Sequence, residues 1–436
     1  MTLWRLIATL VVSLAIAGCG SDSGFNEETD FLRKEGAVQF VNMMSDSPEL
    51  TMIHGLQNQT IRFPFTSGGE VRFEDRYDWR LAYRDSNLEE ITVAQGENQQ
   101  ILEDRLSTFL FMGSLTTPKI EIVEVALPPF ADRTEGAAVI WFAANLTSVS
   151  MVDLYLLDSE SSLNSTTPIA SLDSQGFTNE ITVDSGDGIR LIVTVAGSLE
   201  VLFESGPISL SDRSVDLFAL VDDFGPDSLN HVDVIWSSSA NGSIMPDFSQ
   251  ATLIRNSNFA SSNELLVTIS DTTFSSSSRG DRSDYAETNP GEQTITVSRV
   301  EDTLFDDTAN LFAGGYHSFL IFDGPDTETP LTPFLVRDEF RSITDRVYFQ
   351  FINGSDEAID FYALINGQDT DDTAPVLNDA QALASGITEV PSGDTRFVVQ
   401  TSDNSETLES VQVVLQEGIT YTAVYEARSG LQIFED

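Results

Sequence analysis

Four short runs decide how this chain folds: Ala37-Val-Gln-Phe-Val-Asn42, Ala138-Val-Ile-Trp-Phe-Ala143, Ala251-Thr-Leu-Ile-Arg-Asn256 and Tyr348-Phe-Gln-Phe-Ile-Asn353. Each is too short for a helix and is bounded by polar turn residues, the pattern of a strand. Each also opens the same succession of features. A second strand follows a polar turn, clearest as Val152-Asp-Leu-Tyr-Leu156 and Ile359-Asp-Phe-Tyr-Ala363. A glycine-bearing turn comes next: Ser67-Gly-Gly69, Ser185-Gly-Asp-Gly188, Asn289-Pro-Gly291 or Ser392-Gly393. Alternating strands lead away from it, such as Gly188-Ile-Arg-Leu-Ile-Val-Thr194 and Thr395-Arg-Phe-Val-Val-Gln-Thr401. The segment closes on a long apolar strand: Thr108–Met112, Val215–Val221, Tyr316–Phe322 or Tyr421–Tyr425.

A repeat of roughly 100 residues with about seven strands is the size of an immunoglobulin-like sandwich. No long 3.6-residue periodicity competes with this reading. The expected fold class is all-β: tandem immunoglobulin-like β-sandwich domains at 36–132, 133–247, 248–342 and 343–436, arranged in a row. They stand behind an N-terminal signal peptide (1–18) and a flexible tether (19–35) of Gly, Ser, Asp, Asn and Glu.

Composition narrows the function classes. A hydrophobic content of 41% with 28 Phe can fill such cores. Acidic residues number 69 against 22 basic ones, and the only lysines are Lys34 and Lys119. A net charge of −47 excludes nucleic acid as a partner, because neutralising phosphate takes clustered Lys and Arg. It equally disfavours lying flat on an anionic bilayer. Cys19 is the only cysteine, so no intramolecular disulfide supports the fold and burial must.

The first residues read as a processing signal. Arg5 is followed by an apolar run from Leu6 to Ile16, too short to span a bilayer, and by small residues before Cys19. Ile16-Ala17-Gly18-Cys19 resembles the lipobox of bacterial lipoproteins. The resemblance implies cleavage before Cys19, acylation of its thiol and amine, and a lasting membrane anchor from several acyl chains. Gly20 and Ser21 follow the cysteine where an Asp would imply inner-membrane retention, so the outer membrane is the expected location.

The repeats resemble a family of bacterial tandem β-sandwich domains known only as a domain of unknown function, whose opening strand ends Asn-Ala-Ser or similar. Asn353-Gly-Ser355 fits that ending best, Asn42-Met-Met-Ser45 and Asn256-Ser-Asn258 fit loosely, and the second segment departs with Ala143. The family brings no active site with it.

Catalytic residues are sparse. His54, His231 and His317 fall in different segments, and no nucleophile elbow, zinc-helix motif or P-loop occurs. His317 reads as a structural residue of its strand, whereas His54 and His231 sit beside turns and are expected to face solvent. Carboxylates are too numerous to single out a glycosidase pair, whose separation of ~5 to 9.5 Å the sequence does not fix. Asp369-Thr-Asp-Asp372 and Asp323-Gly-Pro-Asp-Thr-Glu328 are the best oxygen-ligand loops for calcium. Neither matches the EF-hand ladder, so both read as solvated acidic turns, and no cofactor or metal is expected. Arg279-Gly280-Asp281, in a Ser-rich stretch expected to be flexible, looks like the tripeptide read by integrins and is taken as chance. Asn58-Gln-Thr60, Asn145-Leu-Thr147 and Asn241-Gly-Ser243 have the form of glycosylation acceptors and read as turn chemistry.

The expected function is a lipid-anchored envelope protein with a non-enzymatic binding, adhesion or scaffolding role toward a protein or glycan partner. The alternatives are a hydrolase with a carboxylate site between two sandwiches, or a subunit of an envelope assembly. An Asp-rich, Lys-poor surface repels itself, and salt relieves that repulsion. Raising the salt concentration is therefore expected to raise the urea midpoint; a midpoint indifferent to salt would count against it.

Overall fold

The computed structural model describes residues 35–436 apart from 68–69, 159–160, 224, 226–231, 239–241, 263, 300–301, 325–329, 366 and 404. The signal peptide and tether lie outside the described residues, except Glu35, which opens the first strand. The described residues form eight sheets, two for each repeat, so the expectation of tandem β-sandwiches holds. In the first sandwich one sheet carries Glu35–Asn42, Phe65–Thr66, Glu70–Phe73, Arg105–Ser114 and Thr117–Ala126. The facing sheet carries Leu50–His54, Gln57–Ile61, Asp75–Arg84 and Glu90–Ile101.

One pairing recurs in all four. The opening strand runs parallel to the long apolar strand: Glu35–Asn42 to Arg105–Ser114, Ala137–Asn145 to Val215–Asp222, Thr252–Asn258 to Tyr316–Asp323, and Arg346–Asn353 to Thr420–Glu426. A tight hairpin cannot join parallel strands. The chain between them is long enough to build the opposite sheet, which serves as the crossover. The apolar strand does not close the segment as expected. A further antiparallel strand (Thr117–Ala126, Val232–Ser237, Leu331–Asp338 or Gly430–Glu435) covers its other edge, which would otherwise expose unpaired backbone groups.

These paired strands are buried on both faces. Glu35–Asn42 buries every residue after Glu35, and Val215–Asp222 and Thr420–Glu426 bury all of theirs. On the inner face Val38, Phe40, Phe109 and Phe111 fill the first sandwich's own core. On the outer face Ala37, Val41, Met43, Leu110 and Met112 pack against Trp141, Ala143, Leu217, Ala219 and Val221 of the second. The third and fourth sandwiches meet the same way through Phe259, Leu320, Phe322 and Val336 against Ile352 and Val424. Burying one such side chain contributes roughly 1.5–3 kcal/mol. The expected simple row is corrected by a further contact: the connector into the fourth sandwich reaches the first, with Thr344 N donating to Asp46 O at 2.9 Å.

The strand-end asparagines explain the recurring motif. Oδ1 of Asn42 accepts from Met44 N at 3.1 Å, that of Asn258 from Ala260 N at 3.0 Å, and that of Asn353 from Ser355 N at 2.9 Å. Each is the turn that asparagine makes with its own backbone two residues on. The third strand runs two residues further than its sequence suggested, so Asn258 and not Asn256 holds this place. In the second sandwich the matching position is Ala144, which with Leu220 faces the core, and not Ala143. Asn145 points the other way and clasps the first sandwich, donating to Met43 O at 2.7 Å and Gly113 O at 3.0 Å. Glycine is required at three of the expected turns, where Gly188, Gly291 and Gly393 have φ of 76°, 85° and 110°.

Asn353 Nδ2 also donates to Glu357 O, Ala380 O and Gln381 O at 2.8, 2.9 and 3.1 Å. Asn353→Ala strands these acceptors without a donor and is expected to cost about 3 kcal/mol, seen as a lower urea midpoint. An unchanged midpoint would show that water replaces the amide freely.

Candidate functional site

A recess of about 640 Å³ lies between the first and fourth sandwiches. The first contributes Glu49, Arg62, Phe63 and Arg84, the fourth Arg346, Tyr348 and Glu389, and the connector Glu339 and Arg341. Arg84 ends the strand Asp75–Arg84 and Arg346 opens Arg346–Asn353, so both sit where core alternation ceases.

Arg341 organises the floor. It is 5% exposed, with its guanidinium 4.9 and 5.5 Å from the ring centres of Phe63 and Tyr348. Nη1 donates to Glu389 Oε1 at 3.2 Å, and Nη2 donates to Ser47 O at 2.6 Å and Ser45 O at 3.2 Å. Its Nε is buried with no partner among the described residues. Burial lowers the Arg341 pKa, and the charge of Glu389 opposes that.

The carboxylates of the recess are already engaged. Glu389 Oε2 accepts from Glu49 N at 2.6 Å, and Glu49 Oε2 accepts from Arg62 Nε at 2.7 Å. Glu339 accepts from the Tyr348 hydroxyl at 2.5 Å; burial and then the Glu339 charge push that hydroxyl's pKa up, so it stays a donor. Arg346 Nη2 donates to Arg84 O at 2.8 Å. The Arg84 guanidinium has no acidic partner among the described residues.

A second concentration of charge joins the third and fourth sandwiches. Arg255 Nη2 lies 3.3 Å from Asp338 and 3.0 Å from Asp436, and its Nε donates to Ser318 Oγ at 2.7 Å. Arg282 also pairs with Asp436, and the Tyr285 hydroxyl donates to Asp338 at 2.6 Å. Burial raises both Asp338 and Asp436, against the pull of Arg255. The side chains of Arg255, Asp338 and Asp436 in this network are buried at the joint.

Several sequence expectations change here. His54 does not face solvent: it is 3% exposed, stacked on Tyr77 at 4.9 Å and edge-on to Phe109 at 5.6 Å. The reason is strand alternation, since Leu50, Met52 and His54 all point inward. His317 is the structural residue expected, its Nε2 accepting from Phe312 N at 3.1 Å. His231 lies outside the described residues, as does Cys19. The Arg279-Gly280-Asp281 stretch is folded down rather than free, with Gly280 N donating to Asn258 O at 2.7 Å and Arg279 paired with Glu426 of the fourth sandwich.

The first acid of each acidic loop is likewise engaged. Asp323 accepts from Ser261 N and Oγ, both at 2.8 Å, and from Arg428 at 2.6 Å, while 325–329 lie outside the described residues. Asp369 accepts from the adjacent Thr370 N at 2.8 Å. Among the described residues no group of three or more His, Cys, Asp or Glu could hold a metal. Asn58 lies within the strand Gln57–Ile61, which corrects its reading as a turn, Asn145 is the clasp described above, and Asn241 lies outside the described residues.

No protein-family model and no curated protein matches the chain. Fifteen solved chains align with it, among them the two named here. One is a candidate cell adhesion protein from Bacteroides uniformis ATCC 8492, at 8% identity and a TM-score of 0.18, covering 47% of this chain and 99% of that one. The other is the Bacillus anthracis TIE protein, at 8% identity and a TM-score of 0.16, covering 90% of this chain and 68% of that one. At those scores neither carries an argument about function. The recess has to speak for itself.

The recess is hard to read from sequence because its arginines come from two distant stretches of the chain, Arg62 and Arg84 from one and Arg341 and Arg346 from the other. The one local signal was the spacing of Arg337, Arg341 and Arg346 around a sandwich junction in a chain poor in cations.

Burial, then the charge of Arg72, lowers His54 to about 4, and burial lowers His317 to about 4. The unfolded rings take a proton near 6.5, so between those values the unfolded state binds more protons. Stability is therefore lost as pH falls from about 6.5 to 4, by on the order of 3 kcal/mol for each histidine. His54→Phe is expected to remove its share, so that the variant gains on the parent in urea midpoint as pH drops from 7 to 4. A constant gap across that range would refute it.

Proposed function

We propose that this chain is a lipid-anchored cell-envelope protein, held at the outer membrane through Cys19, with a non-enzymatic binding role in adhesion or scaffolding. The observation that carries the reading is the recess between the first and fourth sandwiches. Its floor is fixed by the buried Arg341, and its carboxylates already accept hydrogen bonds from Arg341, Arg62, Tyr348 and a backbone amide. Each of these carboxylates is held by at least one donor. What faces the opening is a set of forked donors, which suits holding a ligand. A site fixed before binding loses little freedom when it is filled.

The hydrolase reading has one observation in its favour: Glu49 and Glu389, from different sandwiches, meet in the same recess. The two readings part experimentally. Polysaccharides and peptides incubated with the full chain are expected to remain uncleaved. New reducing ends or amines that disappear with Glu389→Gln would overturn the non-enzymatic role.

The anchor is tested apart from the binding role. Cys19→Ala is expected to abolish incorporation of labelled palmitate and to move the protein from the membrane to the soluble fraction. A variant that still sediments with membranes and carries label would refute lipidation at Cys19.

A further inference from the structure

We propose that the recess between the first and fourth sandwiches is a binding site for an acidic sugar of about disaccharide size, its carboxylate held by Arg62 and Arg84. The inference rests on the binding role argued above and names the ligand class for that site. Four of the chain's 22 cationic side chains converge there, in a protein of net charge −47. Arg84 carries no acidic partner among the described residues although acids outnumber bases three to one. Arg62 is 68% exposed on its side chain, so its fork reaches the opening while one nitrogen stays on Glu49. Beneath them Arg341 keeps a buried Nε without a partner. A guanidinium offers paired donors matched to a carboxylate, which makes this the group that the site recognises.

The rest of the lining restricts what carries that group. Glu49, Glu339 and Glu389 would repel a ligand charged along its length, and so would the field of the whole protein. The same carboxylates, with Thr51 and Thr388, accept hydrogen bonds from hydroxyls. Ile387, 37% exposed, offers an apolar patch for a ring face. One or two acidic groups on a hydroxyl-rich body satisfy all of these together. A recess of about 640 Å³ has room for such a molecule but not for a long polymer within it.

The test is calorimetric titration of the full chain with digalacturonate, galactobiose, inorganic sulfate and inorganic phosphate. Digalacturonate is expected to bind saturably and more weakly as salt rises. Galactobiose should bind at least about tenfold more weakly, and Arg84→Gln or Arg62→Gln should weaken digalacturonate by about tenfold each. Arg190→Gln, which breaks a pair with Glu204 in the second sandwich, should leave binding unchanged. Urea midpoints of the variants show that lost binding is not lost folding, since Arg62 and Arg84 are both exposed. Equal affinity for the acidic and neutral disaccharides, or binding indifferent to both arginine variants, would overturn the site. Binding of sulfate or phosphate without digalacturonate would overturn the sugar and leave an adventitious ion only. Silence from all four probes would overturn the ligand class, while the broader binding role is judged by its own partners. Cleavage of digalacturonate would support the site and overturn the non-enzymatic role.

Discussion

Everything else in this protein follows from strands that have no solvent face. A sheet buried on one side can stand as the wall of a lone sandwich, with polar residues outward. Here Val215–Asp222 is buried throughout, and so is nearly all of Glu35–Asn42. Such a sheet must be covered twice. The first and second sandwiches cover one another, as do the third and fourth, each through the sheet that holds the parallel pair.

Apolar contact is non-directional, so it says that two faces meet without fixing how. The polar groups at the joints supply direction. Gln39 donates to Ser237 Oγ at 2.8 Å across the first joint, and Arg255, paired with Asp338 of its own sandwich, binds Asp436 across the second. Arg341 sits where the connector touches the first sandwich and ties it to Glu389. Leaving one partner of a buried ion pair alone is costly, so a shifted face is penalised wherever such a pair would be split. With so few cations available, their concentration at joints and in one recess is the main feature of this electrostatic design.

Much of the fold was legible because strand composition and turn chemistry are local. The opening runs, the glycines at positive φ and the asparagine turns could each be read from a few neighbouring residues. What lay beyond reading was which surface each face meets. Asn145 shows this: the sequence places it at the end of a strand, but only the neighbouring sandwich explains its clasp on Gly113. His54 was misjudged because its closeness to a turn outweighed the alternation Leu50, Met52, His54 that the strand obeys. The recess was the least legible part. Its defining contacts join Glu49 to Glu389 and Arg341 to Ser47, pairs 340 and 294 positions apart, and no local pattern encodes either.

The twice-covered sheet also has a consequence in time. The first sandwich can form as soon as its own strands are available, but Ala37, Val41, Met43, Leu110 and Met112 then stay bare until the second is complete. During that interval the chain displays an adhesive apolar face, the kind of surface through which folding intermediates aggregate. The same delay recurs in the second half, where Phe259, Leu320 and Phe322 wait for Ile352 and Val424. Folding is thus paced by pairs of repeats, and the natural unit for gain or loss of sequence in this architecture is two sandwiches at once.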